Sequence, residues 1–145
     1  MKTYSFSHTI QAPAQSVIEI IYDIKNYNSW NRCLQYQNGK MQEGEKLILQ
    51  ATLDGKKFIK WPCKVEQLHN DGFVLSKSII AKPYMHMIHS FKVKPLNEKS
   101  CEVIHTWNGT GFSPRFFWDK IIPVLDKFKP YNESLKTYAE NKNNI

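Results

Sequence analysis

The side chains best suited to proton chemistry in this sequence are three histidines, His86, His89 and His105. Imidazole titrates closest to neutrality of the common side chains. It serves as a general acid or base beside an enolisable substrate, and as a neutral ring it ligates metals. Spacing separates these roles. His86 and His89 are an odd number of residues apart in an alternating segment, so on a strand they point to opposite faces and cannot share an ion. His89 shares the apolar side with Met85, Met87, Phe91 and Val93, while His105 shares it with Cys101, Val103 and Trp107. A short connection between these segments places both rings on one face within about two residues of register. Two readings are open for the pair. They are core histidines bonded to each other, to Tyr84 or Tyr138, or to water; or they are polar anchors for a ligand carbonyl or hydroxyl in an apolar pocket.

A carboxylate partner for these rings is missing. Asp54, Asp71 and Glu98 fall in turns, and Glu66 and Glu102 fall on the polar face. Neither a Ser/His/Asp nor a Cys/His arrangement can be assembled, and no Gly-rich phosphate loop occurs. Cys33, Cys63 and Cys101 are odd in number and widely spaced, which reads as reduced thiols rather than disulfides or a zinc site. No catalytic residue, metal or cofactor is expected.

The elements that must position the histidines follow from hydrophobic period. Tyr4, Phe6, His8 and Ile10 alternate with polar residues, the pattern of a half-buried strand. Pro13 then opens a short helix through Ser16 to Tyr22, and a second short helix or turn carries Tyr27 and Trp30. From Leu34 onward the chain reads as a meander whose buried positions are odd-numbered: Leu47 to Leu53, Ile59 to Val65, Phe73 to Ile79, Met85 to Val93 and Cys101 to Trp107. Asp54-Gly55 and Asn70-Asp71-Gly72 mark turns. Pro62 has no N–H to give a ladder and indicates an edge or a bulge. Phe117, Ile121, Leu125, Phe128, Leu135 and Tyr138 then change to helical spacing, so one long helix, kinked at Pro123 and Pro130, covers the apolar face. The fold class is α+β, with about seven antiparallel strands and two short helices after the first.

The chain has 145 residues, 41% hydrophobic and 13% aromatic, which suits one domain over residues 1–145. Its net charge is +7, but the lysines form no run of five. Neither a recognition helix nor a basic stripe with stacking aromatics can be picked out, so nucleic acid is not an expected partner. No run of eighteen apolar residues occurs and the N-terminus alternates rather than resembling a signal peptide, so a soluble, cytoplasmic protein is expected. A monomer and a homodimer are both compatible with the sequence.

Short motifs give this order of elements a family likeness. Tyr27-Asn28-Ser29-Trp30-Asn31 resembles a Tyr-x-x-Trp-Asn element after the first helices, with Arg32 in place of the usual Pro. His89-Ser90-Phe91 resembles the His-x-Phe of the penultimate strand, and His105 with Gly111 resembles the His-x-Glu-x-Phe-x-Gly of the last strand. Trp107 and Gly109 replace the Glu and Phe of that pattern, so no acid/base role of that Glu carries over. Asn132, Leu135, Lys136 and Glu140 resemble the Asn-x-x-Leu-Lys-x-x-x-Glu of the final helix. The chain thus resembles the START-like superfamily, also called SRPBCC, which includes lipid-transfer domains and polyketide cyclases.

That resemblance implies a helix-grip fold, a curved sheet wrapped around the long C-terminal helix, with a cavity between them for an apolar molecule. The residues expected to line it are Trp61, Leu75, Met87, His89, Phe91, Val103, His105, Trp107, Phe117 and Ile121. For the aromatics and Met87, ordinary core packing is the competing reading. The expected function is binding of a small hydrophobic ligand (lipid, polyketide or isoprenoid-like), as a carrier or sensor. The alternative is a polyketide cyclase/dehydratase-like enzyme using the cavity histidines, and a third possibility is an interaction module with a filled core. Phe112, Phe116, Phe117 and Trp118 exceed what one helix face needs and suggest an access lip, a membrane contact or a dimer contact.

Overall fold

The computed structural model describes residues 1–80, 85–111 and 114–143. Seven strands form one antiparallel sheet in the order β1-β7-β6-β5-β4-β3-β2. They are β1 (Lys2–Ile10), β2 (Leu34–Gly39), β3 (Lys46–Thr52), β4 (Phe58–His69), β5 (Gly72–Ile80), β6 (Met85–Asn97) and β7 (Ser100–Thr110). Helix α1 (Ala14–Tyr22) and a 3-10 helix (Ile24–Ser29) follow β1, and α2 (Pro114–Asp126) and α3 (Lys129–Asn143) end the chain. This is the helix-grip architecture that the family resemblance implies, with strands where the alternation places them and helices after the C-terminal change of period.

Local chemistry sets the boundaries. Pro13 is extended and its carbonyl accepts the Val17 N–H at 3.2 Å, opening α1. Gly72 sits so close to β6 that a Cβ there would lie 1.8 Å from the Phe91 carbonyl oxygen, so only glycine allows β5 to start in register. The connection between the two histidine strands is tight, because β6 continues to Asn97 through an irregularity between Pro95 and Asn97 and β7 starts at Ser100.

The kink expected in the C-terminal helix is a break at Lys127 and Phe128, with Pro130 in the first turn of α3, where its missing N–H costs nothing. Among the described residues Trp118 and Leu125 are the buried positions of α2, and Phe128, Tyr131, Asn132, Ser134, Leu135 and Ala139 those at and beyond the break. Among the described residues no helix is long and apolar enough to cross a membrane.

Two details of the sheet matter for the site. A bulge between Val65 and Gln67 shifts the phase of β4. Among the described residues, pairing of β4 with β5 stops at Lys64–Ser76, although β4 runs on beside β3 to Phe58 and β5 beside β6 to Ile80. The sheet therefore opens between the two strands. Pro62, which has no N–H for a ladder, lies where it opens. Ile59, expected to be buried, is 42% exposed in this stretch of β4, which pairs with β3 on one side only.

Candidate functional site

Register aligns the concave face in rows across four strands. One row is Leu75, His89, Trp107 and Tyr4, and the next is Phe73, Phe91, His105 and Phe6. His89 and His105 are thus two positions apart in pairing register and diagonal neighbours. Their rings approach with His89 Nε2 2.9 Å from His105 Nδ1. Aromatic rings enclose the pair: Trp107 stacks on His89 at a centroid distance of 4.0 Å, Phe6 stacks on His105 at 5.2 Å, and Tyr131 from α3 meets His105 edge-on at 4.8 Å.

The partner that holds His105 is Asn132. Its Oδ1 lies 2.8 Å from His105 Nε2, while its amide nitrogen donates to the Val103 carbonyl at 3.3 Å and lies 3.4 Å from His8 Nδ1. The Val103 carbonyl can only accept, which fixes the amide orientation and makes Oδ1 the acceptor for His105 Nε2–H. His105 then carries its proton on Nε2 and accepts at Nδ1, so His89 donates from Nε2. His89 is left with Nδ1 as its lone-pair atom. Tyr138, proposed above as a partner, instead stacks on Trp30 at 5.6 Å and bonds Asn26 at 3.4 Å. Tyr84 lies outside the described residues.

Both rings are neutral. Burial pushes His105 down to about 3, with a smaller downward push from His8 opposed by the Asn132 bond. Burial and the adjacent His105 hold His89 well below 6.5. The cysteines move the other way, with Cys33 and Cys63 pushed up to about 12 and Cys101 to about 11 by burial, so all three are unreactive free thiols. Among the described residues no group of three or more His, Cys, Asp or Glu side chains could hold a metal ion.

Over the row of His89 and Trp107 lies a cavity of about 30 Å³, lined from the sheet by Leu34, Leu49, Trp61, Cys63, Leu75 and Met87 and closed by Leu125 and Phe128. That is room for a water molecule or two. Phe128, beside the break between the C-terminal helices, is the plug: its ring centroid lies 5.5 Å from Trp61, 5.7 Å from Trp107 and 6.1 Å from His89.

Of the ten residues expected to line a pocket, Trp61, Leu75, Met87, His89 and Trp107 are on its wall. Phe91, Val103 and His105 are buried but are not on that wall. Ile121 is half-buried and also away from the wall. Phe117 is a correction. It is 47% exposed, because the inward positions of α2 are Trp118 and Leu125 and the residue preceding Trp118 turns outward. Of the apolar cluster near it, Phe116 is exposed, Trp118 is buried and Phe112 lies outside the described residues.

Lys77, Phe128 and Asn132 were not foreseen as site residues. Lys77 was legible in principle, since it falls in phase with Phe73, Leu75 and Ile79. It lies at the opening between β4 and β5, where its Nζ is 3.4 Å from the Pro62 carbonyl oxygen and 4.6 Å from the Trp61 ring centroid.

This architecture is shared with solved START superfamily and aromatase/cyclase structures. An aromatase/cyclase from Streptomyces sp. R1128 superposes with a TM-score of 0.72 at 12% identity, over 97% of this chain and 94% of that one. A START superfamily protein from Mycobacterium smegmatis gives 0.71 at 13% identity over 97% and 98% of the two chains. A norcoclaurine synthase point mutant from Thalictrum flavum, in complex with a transition-state analogue, gives 0.68 at 12% identity over 97% and 95%. No family model matches the sequence, and no curated protein matches it. The likeness is one of fold.

Proposed function

We propose that the whole chain acts as a single noncatalytic binding domain that takes a small hydrophobic ligand between the sheet and the C-terminal helices, as a carrier or sensor. The observation that carries this reading is the mainly apolar cavity beneath the helix break, with the His89–His105 relay beside it. Ligand binding moves Phe128 off Trp61 and Trp107, so burial of the ligand offsets the burial lost by one ring. A ligand hydroxyl, rather than a carbonyl, suits the relay, because His89 offers a lone pair at Nδ1.

The fold shared with an aromatase/cyclase raises the enzymatic alternative. A cyclase-type base must gain and lose a proton near neutrality. His89 and His105 are held below that range, and among the described residues no carboxylate lines the cavity. The physical chemistry favours binding.

The test is native mass spectrometry of freshly purified protein beside the same sample denatured, followed by titration with decanol read through tryptophan fluorescence. A discrete mass lost on denaturation, or saturable quenching by decanol, is expected. No co-purified mass, together with no binding of decanol to the wild type or to Phe128→Ala, would sink the reading in favour of a filled core.

A further inference from the structure

The opening between β4 and β5 connects two spaces. Cys63, Ser76 and Lys77 border both the interior cavity and a depression on the outer face of the sheet. Lys77 stands in this gap, half-buried, with its charge over the Trp61 ring and one hydrogen bond to the Pro62 carbonyl. An ammonium has three donors, and among the described residues no carboxylate lies within ion-pairing distance of this one. Cys63 beside it is a neutral thiol. Glu66, on the outer rim, is already engaged by Ser76 at 2.6 Å and Lys64 at 3.9 Å. A cation set in an apolar wall without a counter-charge costs free energy unless something anionic meets it.

We propose that the gap between β4 and β5 is the polar end of the ligand site and that Lys77 there binds the carboxylate of an amphipathic acid whose apolar chain fills the cavity. This deepens the binding reading above and rests on it. One ammonium matches one negative charge, which favours a carboxylate over a doubly charged phosphate monoester. Lys46 and Lys64 together outweigh Glu66 on the outer rim, a net positive potential that draws an anion to the gap. The splayed strands admit the head group without unpairing the sheet, because Pro62 leaves no donor to satisfy there. The chain then runs past Trp61 toward Phe128.

Decanoate and decanol, equal in chain length and different in head group, test this at pH 7 by tryptophan fluorescence titration. Wild type should bind decanoate on the order of tenfold more tightly than decanol, the scale of one charge-assisted hydrogen bond. Lys77→Met, which keeps the aliphatic stem, should erase that preference, so that the variant binds decanoate no more tightly than decanol, whereas Lys77→Arg should retain it. Lys120→Met, the same charge change on the exposed face of α2, should leave both affinities unaltered. Thermal melts of each variant report whether the fold is intact. Equal binding of the two compounds by wild type, or a preference that survives Lys77→Met, overturns the carboxylate site while the binding reading stands. No binding of either compound overturns both.

Discussion

Replacing Phe128 by alanine should convert a plugged core into an open one. Phe128 is 1% exposed and wedged among Trp61, Trp107 and His89. Truncation of a buried phenylalanine costs about 3–5 kcal/mol, through lost transfer energy and the void left behind. At roughly 2–4 °C per kcal/mol for a chain of this size, the melting temperature should fall by about 6–20 °C. The void has the shape of the removed phenyl ring, since alanine keeps the Cβ, and toluene is that ring with one methyl group more, for which the adjoining cavity of about 30 Å³ has room. Toluene at 100 times its Kd should restore about 2.7 kcal/mol, or about 5–10 °C. The wild type should show no toluene shift, since its cavity of about 30 Å³ admits little more than water. A larger amphiphile should bind both proteins, more tightly in the variant, which no longer has to move a ring. Differential scanning calorimetry with and without toluene measures all of this. A destabilised variant that toluene does not rescue, or a wild type that toluene shifts equally, would refute the assignment of Phe128 as the plug.

Two further outcomes follow from the relay. Asn132→Ala should cost about 1–3 kcal/mol in urea unfolding by stranding the His105 Nε2–H, and adding His105→Phe should recover part of that loss, because removing both partners of a buried hydrogen bond is cheaper than removing one; strictly additive losses would contradict the bond. Stability should also fall on acidification. His105 titrates at about 3 in the fold against an ordinary 6.5, so the unfolded chain takes up a proton the fold refuses. Its contribution is complete above pH 6.5 and is lost toward pH 3, at on the order of 1.4 kcal/mol per pH unit. His89 acts in the same direction, and His105→Phe should flatten the acid limb of a stability–pH curve; an unchanged slope would show that the ring is not held neutral.

The strands and the meeting of the histidines were legible because both depend on period two and short connections. Once the segments around His89 and His105 alternate and are joined by a tight turn, their offset is confined to about two residues, and the structure pairs Phe91 with His105. The remainder of the site depends on contacts distant in sequence. Asn132 acquires its role only because α3 packs across β7, 27 residues from His105. Lys77 breaks an otherwise apolar phase, and a reading by alternation passes over such an exception. Its position makes sense only once β4 and β5 are seen to separate at Pro62. Pro62 itself was legible as a flaw in a ladder, though not which ladder would open. Phe117 was misplaced because the stripe was phased on Phe117 and Ile121, whereas α2 turns Trp118 and Leu125, seven residues apart, inward.

The interior has a further logic. A core selected for stability alone would gain by replacing two histidines and an asparagine with apolar side chains of similar volume, since a satisfied buried polar network is worth little net. Among the described residues the His89 acceptor is the ring nitrogen of this network with no hydrogen-bond partner, and His89 is the member on the cavity wall. Such an arrangement holds one lone pair in a fixed direction at the price of some stability, and its depressed pKa values keep that lone pair free of a proton throughout the neutral range. A neutral, immobile acceptor in an aromatic wall is of little use as a base that must cycle its proton. It is well suited to orienting a bound molecule, and Lys77 at the opposite strand gap supplies a second, charged point of reference for the same ligand.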